Sequence, residues 1–315
     1  MEDDAAFEED SPAAVVGAGA MGTALAQRLP TAGHPVRAIL SRTLASAEAL
    51  AERVGAPVAS NEWTALPRDV RLVLICVPDD AIPAVAEALA DVSHPWDRTI
   101  VGHTSGARTA EALHPLARKG AATLSFHPLQ TFTPDTPPTA FEDIVIGIEG
   151  PAEAVSAGKA LAQALGATPV VLTERGKALY HCAAALASNG LVALMAVVEE
   201  VFSSADLDEH HGTAAELVGP LVRQTWENLE TGSPESVLTG PVARGDAATA
   251  KAHLNALQNE APHLVALYAT LSIEMTRIGV RGGQLEGESA EALLHLLQNA
   301  LQSSSDGIPP FGSSN

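Results

Sequence analysis

Basic residues are scarce in this chain. Eighteen Lys and Arg stand against 38 Asp and Glu, a formal net charge of −20 over 315 residues, and the only lysines are Lys119, Lys159, Lys177 and Lys251. A surface of that sign repels polyanions, so neither nucleic acid nor an anionic membrane is an expected partner. The acidity fits an ordinary soluble acidic protein, or one adapted to a salty cytoplasm where screening tolerates self-repulsion. Long apolar runs are also missing: none approaches the roughly 20 residues that cross a bilayer. The opening MEDDAAFEED is acidic and polar, the reverse of a secretory signal. Cysteine is limited to Cys76 and Cys182, far apart and each in an apolar stretch. Two buried, reduced thiols in a cytoplasmic protein are expected, not a disulfide or a metal pair.

What is present is a chain that is 46% hydrophobic, enough for a sizeable core and two domains. From 13 to about 172, short apolar runs (13–17, 36–40, 71–77, 98–103, 122–126, 143–148 and 168–172) alternate with helical patterns at 20–32, 43–54, 79–91, 108–119 and 152–165. Such alternation predicts βαβ units and a doubly wound, mainly parallel sheet. After 173 the pattern changes to helix alone, at 174–203, 210–230, 246–258, 262–278 and 287–302. The fold class is therefore α/β followed by an all-α domain. Its expected divisions are a disordered acidic tail at 1–11, the α/β domain at 12–172, the helical domain at 173–303 and a disordered tail at 304–315.

The most specific signal is AAVVGAGAMGTALAQRL. A β-branched run enters Gly17-Ala18-Gly19-Ala20-Met21-Gly22, and a helical pattern leaves it. Gly17 permits a tight turn, Gly19 lets a pyrophosphate approach the backbone, and Gly22 lets helix and strand pack closely. The free N–H groups at the helix start then face the phosphates. These residues predict a Rossmann-like dinucleotide site. At the end of the second strand, where NAD binders usually carry an acidic residue, stand Ser41, Arg42 and Thr43. A guanidinium between two hydroxyls suits a 2′-phosphate, so NADPH is the expected cofactor. After the 71–77 run, Val77 and Pro78 are expected to line the cofactor. Asp79 or Asp80 reads as an ordinary helix cap.

Two polar strand ends follow, GHTSGA (102–107) and FHPLQTF (126–132). His103 and His127 are each expected to be satisfied structural histidines, though His127 remains a candidate for the substrate pocket. Ser105 with the Gly106 amide is a candidate anchor for a substrate oxygen. In ERGKALYHCAAALASNG the apolar helix carries a polar seam. Lys177, His181, Ala184 and Ser188 fall on one face, flanked by Tyr180 and Asn189. Such a seam either lines a polar site or belongs to an exposed first turn. Reduction of a carbonyl or imine also needs a proton, for which His181 and Lys177 are the leading candidates. In TGPVARGD (239–246), Arg244 suits a carboxylate or phosphate and Asp246 suits the cap of the next helix, or the two pair with each other.

With these residues in view, the chain resembles bacterial oxidoreductases that join an N-terminal Rossmann-like domain to a C-terminal helical domain of unknown function. The stretches that carry the resemblance are VVGAGAMGTALAQRL, VPDDAI, HTSGA, HPLQTF, YHCAAALASN and LTGPVARGD with His253. Such proteins are similar to coenzyme-F420-dependent NADP oxidoreductases. More distantly they resemble pyrroline-5-carboxylate reductase, ketopantoate reductase and 6-phosphogluconate dehydrogenase. The resemblance implies NADP binding, a small-molecule substrate and a homodimer built through the helical domain. Lys177 and Asn189 echo the catalytic lysine and downstream asparagine of these relatives, at a different spacing. The glycine- and threonine-rich loop of pyrroline-5-carboxylate reductases is absent, which argues against that activity. The expectation is a reductase of a small anionic carbonyl or imine compound, with a ketopantoate-type 2-oxo acid as one candidate. A dinucleotide-binding sensor is the alternative.

Overall fold

The computed structural model describes residues 10–205 and 212–304. The expected tails, apart from their inner residues at 10–11 and 304, lie outside the described residues. The chain divides into two compact units, Met1–Asn189 and Gly190–Asn315.

The first unit opens with β1 (Ala13–Val16), α1 (Ala20–Arg28), β2 (Val36–Leu40), α2 (Leu44–Val54), β3 (Val58–Ser60), β4 (Leu72–Ile75) and α3 (Ile82–Ala90). It continues through β5 (Ile100–His103), α4 (His114–Ala117), β6 (Ala122–Pro128), β7 (Val145–Glu149), α5 (Ala152–Ala164), β8 (Thr168–Val171) and α6 (Glu174–Ala187). The strands form one sheet in the order β3-β2-β1-β4-β5-β6-β7-β8. All neighbouring pairs are parallel except β6 with β7. The order reverses between β1 and β4, which is where a doubly wound sheet opens its ligand crevice.

Alternation along each strand explains the two layers. Ala13, Val15, Leu72 and Leu74 point into a core shared with Leu25 and Leu29 beside α1, Leu50 of α2 and Leu161 of α5. Ala14, Val16, Val73 and Ile75 point into the opposite core, with Ile82, Val85 and Leu89 of α3 and Leu116 of α4. A sheet covered on both faces needs apolar side chains at every position, so its strands read as continuous rather than alternating runs.

Several expectations are corrected. β3 has three residues of intermediate burial and carries too little apolar signal to be read. The helix expected at 79–91 starts at Ile82 with Ala81 at its cap position. Asp79 and Asp80 therefore lie in a turn closed by the Ala81 N–H on the Pro78 carbonyl (2.9 Å) and cap nothing. The 108–119 helix shrinks to a 3-10 turn and the four-residue α4, with Pro115 in its first turn. Cys76 is buried as expected, but Cys182 is exposed, because α6 turns its Lys177 and His181 face inward.

The second unit is helical: α7 (Asn189–Ser204), α8 (Ala214–Thr231), α9 (Pro234–Val237), α10 (Ala247–Glu260), α11 (Val265–Arg281) and α12 (Gly287–Ser304). Its core joins Leu254 of α10, Val265 of α11 and Leu293 and Leu297 of α12. The continuous helix expected at 174–203 breaks at Ser188, and α6 groups with the first unit. Residues 174–204 contain an 18-residue stretch with a mean hydropathy of 1.7, apolar and long enough by composition to cross a membrane. That exceeds what the interrupted sequence suggested. However, Lys177, within residues 174–204, is hydrogen-bonded inside the first unit.

Candidate functional site

The glycine loop between β1 and α1 behaves residue by residue as its chemistry requires. Gly17 has φ +108°, and a side chain there would strike the carbonyl oxygen of Cys76 at the end of β4. Val77 stands beside it, its Cγ1 3.1 Å from where such a side chain would begin. Gly22 lies against the Gly17 carbonyl, which lets α1 press onto β1. Gly19, by contrast, is exposed, and a methyl group there would meet nothing within 4 Å. It is the cap residue of α1 and offers no side-chain acceptor to the first N–H groups, among them those of Ala20, Met21 and Gly22. The loop therefore leaves a cradle over a helix start, at the point where strand order reverses. These features fit a pyrophosphate bound by backbone amides.

At the end of β2, the Ser41 N–H donates to the Ser60 carbonyl (3.0 Å), fixing the turn that carries exposed Arg42 and Thr43. Thr43 caps α2 through its backbone only, so its hydroxyl is not engaged in the cap. Val77 is half-buried and Pro78 exposed beyond β4. Beneath the loop, burial pushes the Cys76 thiol up to about 12, which removes it from thiolate chemistry.

The polar seam on α6 is not an exposed first turn. Lys177 is fully buried. Its Nζ donates to the Ser125 Oγ (2.6 Å) and to the Ser105 carbonyl (3.0 Å). One turn on, the Tyr180 ring packs over Gly147 of β7, and its hydroxyl lies 3.4 Å from His127 Nδ1. His181 packs its Nδ1 edge against Gly106, and its ring meets His127 edge-on at 5.7 Å. Ser188 Oγ contacts Thr131 Oγ1 at 3.2 Å. The seam thus lies along the ends of β5 and β6 within the first unit, and Asn189 is exposed just beyond it.

Burial brings Lys177 down to about 8, opposed by the carboxylates of Glu149 and Asp79. Burial, with the Lys177 charge adding to it, holds His127 near 4. His103 is also held near 4 by burial. Both His103 nitrogens are occupied: Nδ1 accepts from the Ser105 N–H (3.2 Å), and Nε2 donates to the Thr109 carbonyl (2.9 Å). That is a neutral structural histidine, as the sequence suggested. The Ser105 hydroxyl is almost as fully engaged. Its Oγ accepts from the N–H groups of Ala107 and Arg108 (3.2 and 3.0 Å), leaving only the hydroxyl proton for a ligand. His181 Nδ1 is buried with no hydrogen-bond partner among the described residues. An N–H there would be stranded at a cost of about 1–3 kcal/mol, so the neutral ring carries its proton on Nε2.

Arg244 and Asp246 belong to the second unit. Asp246 caps α10, accepting from the Thr249 N–H (3.0 Å) and hydroxyl (2.7 Å). These bonds hold its carboxyl below the usual range. Arg244 is exposed in the turn before it. Sequence reasoning passed over Ser125, whose hydroxyl between the apolar Leu124 and Phe126 was its only signal.

Two family models match the chain, and the boundary between them differs from that between the two compact units. A Rossmann-like domain profile matches residues 9–128, and the profile of a domain of unknown function, DUF2520, matches 144–275. The chain joins a Rossmann-like domain to a DUF2520 domain. No curated protein matches it. Among solved structures it is similar to a proposed NADP oxidoreductase, BF3122, from Bacteroides fragilis. That match has 24% identity and a TM-score of 0.68 and covers 85% of this chain and 98% of the other. Protein TM1727 from Thermotoga maritima matches at 26% identity with the same TM-score and coverage. A reductive aminase from Aspergillus terreus, solved with NADPH and ethyl-5-oxohexanoate, matches at 20% identity and TM-score 0.57. It covers 93% of this chain and 94% of the other. The DUF2520 match begins at 144, within the sheet, so β7, β8 and α6 precede the helical unit.

Proposed function

We propose that this protein is an NADPH-dependent reductase of a small, anionic carbonyl or imine compound, a ketopantoate-type 2-oxo acid being one candidate. One juxtaposition carries the reading. The open Gly19 cradle and the polar seam of α6 lie at the carboxyl-end edge of one sheet, in one compact unit. The fold likeness to a proposed NADP oxidoreductase and to a reductive aminase solved with NADPH supports it. Gly17, Gly19, Ala20, Met21 and Gly22 hold the pyrophosphate; Arg42, between Ser41 and Thr43, takes the 2′-phosphate; Val77 and Pro78 flank the ring end. Bound there, NADPH supplies a hydride from nicotinamide C4. His181 donates a hydrogen bond from Nε2 to the substrate oxygen or nitrogen, and the proton itself comes from the Lys177 ammonium, which is left as the neutral amine. Until that transfer Lys177 is a buried cation that favours negative charge on the substrate. His127 and Ser188 line the pocket. Asn189, at the end of the seam, positions the substrate; in the second unit Arg244 is a candidate anion contact by its chemistry, and Asp246 fixes the loop that carries it.

The helical unit leaves Val192, Leu221 and Trp226 more than 60% exposed. Apolar exposure of this kind supports a homodimer formed through these helices in a cytoplasmic protein. The reading is tested by NADPH oxidation against a panel of 2-oxo acids and cyclic imines. Turnover that falls at least 100-fold in His181→Ala supports it. Tight NADPH binding with no turnover anywhere on the panel would favour a sensor.

A further inference from the structure

Ser125 lies on β6 between Leu124 and Phe126, which face the core. It pairs in register with His103 of β5 and Glu149 of β7. A buried hydroxyl at a position that apolar residues fill elsewhere is a cost unless something uses it. Here it is 2.6 Å from an ammonium that is itself wholly inside the protein.

We infer that Ser125 is a positioning residue for Lys177: its hydroxyl, with the Ser105 carbonyl, holds the ammonium charged at the ends of β5 and β6. The two acceptors differ in kind. A carbonyl can only accept, so the Ser105 oxygen at 3.0 Å takes a hydrogen from either form of the lysine but binds the ammonium more strongly. A hydroxyl can accept from the ammonium and, after rotating, donate to the neutral amine. In the charged state Ser125 still has its own proton to place, and the Ser105 carbonyl lies 3.4 Å away to receive it. The bond to the ammonium is the stronger of the two because it is charge-assisted, so Ser125 both places Nζ and favours its charged form.

The other groups around this centre leave that role to Ser125. His103 is neutral, with both nitrogens occupied, and His127 is neutral. Tyr180 is turned toward His127, and His181 packs on Gly106. Glu149 accepts from the Ala110 N–H (2.7 Å) and acts on Lys177 only through its charge, as does Asp79. Burial alone drives the lysine toward losing its proton, so losing one of two direct acceptors should move it further.

The inference concerns the site of the proposed reductase, but its test needs neither substrate nor turnover. Four lysines make the full chain suitable for 13C-lysine labelling, with the Lys177 signal assigned by its loss in Lys177→Arg. In the wild type this signal should titrate near 8. In Ser125→Ala it should titrate about one unit lower or more, since a hydrogen bond to a charged group is at stake. Ser125→Cys, close in size with a poor acceptor, should follow Ser125→Ala, and Ser125→Thr should return to the wild-type value. If a substrate is found, the alkaline limb of kcat/KM should move with the titration. An unmoved signal in both Ser125→Ala and Ser125→Cys overturns the inference. So does a Ser125→Thr signal displaced as far as that of Ser125→Ala. If the titration moves as expected while no substrate turns over, the reductase reading fails and the positioning role stands.

Discussion

Two substitutions in the glycine loop separate binding from folding. Gly19 has φ −80° and ψ −173°, ordinary extended backbone, and an added methyl group would touch nothing within 4 Å. Gly19→Ala should change folding stability by no more than about 0.5 kcal/mol. The methyl group would nevertheless fill the space over the start of α1, where phosphate oxygens must approach the amides. A tenfold loss of NADPH affinity corresponds to about 1.4 kcal/mol, and a loss of about 10- to 100-fold is expected. Gly22→Ala should do the reverse. Its methyl group would overlap the Gly17 carbonyl oxygen and come within 3.4 Å of Cys76 Cβ. The helix would have to back away from β1. Overpacking of this kind costs about 1–3 kcal/mol, and each kcal/mol lowers Tm by about 2–4 °C in a domain of this size. Calorimetric titration with NADPH and thermal melts on both variants read the two effects. Wild-type NADPH affinity in Gly19→Ala, or a wild-type melt in Gly22→Ala, would refute the reasoning.

Two further outcomes follow from the same geometry. Arg42 is exposed, so Arg42→Ala should leave the melt unchanged and weaken NADPH at least tenfold while sparing NADH; equal losses for both dinucleotides would remove the 2′-phosphate assignment. His103 and His127 are held near 4, below the ordinary 6.5. The unfolded chain therefore takes up protons first, so stability is complete above pH 6.5 and falls as pH drops toward 4. For fully buried His103 the shift amounts to about 3 kcal/mol. Urea midpoints that stay level from pH 7 to 4.5 would contradict it, and His103→Asn should flatten the slope.

The sequence disclosed the fold most clearly where the physics is local. The run into Gly17 and the amphipathic helix after Gly22 specify a strand, a turn and a helix almost without tertiary context. β3, with three half-buried residues, depends on the edge of β2 for its existence, and no local pattern announces it. The seam on α6 was legible as a helical face, because Lys177, His181 and Ser188 share a 3.6-residue period. Its direction was not. Whether Lys177 faces water or a sheet depends on Ser105 and Ser125, which are 72 and 52 residues away. Ser105 suggested a substrate anchor because it follows a strand at the end of the sheet where ligands gather. Here that hydroxyl closes its own turn on Ala107 and Arg108.

Lys177 itself gives the sharpest test of whether this centre serves function or only holds the fold together. A fully buried ammonium without a hydrogen-bonded carboxylate is an expensive way to join a helix to a sheet. The drop from 10.5 to about 8 means that, at pH 7, keeping the charge inside costs about 3 kcal/mol relative to the unfolded chain. Lys177→Met removes that cost and keeps most of the packing volume. It leaves the Ser105 carbonyl without its ammonium donor, a penalty of about 1–3 kcal/mol that the Ser125 hydroxyl, 3.4 Å away, offsets in part. The two terms nearly cancel, so at pH 7 the variant should melt at or above the wild-type temperature. A residue kept at no gain in stability is kept for its charge, and reductase turnover should fall at least 100-fold in the same protein. A Tm lowered by ten degrees or more would instead make Lys177 a structural clip, and the proton chemistry would then rest on His181 alone.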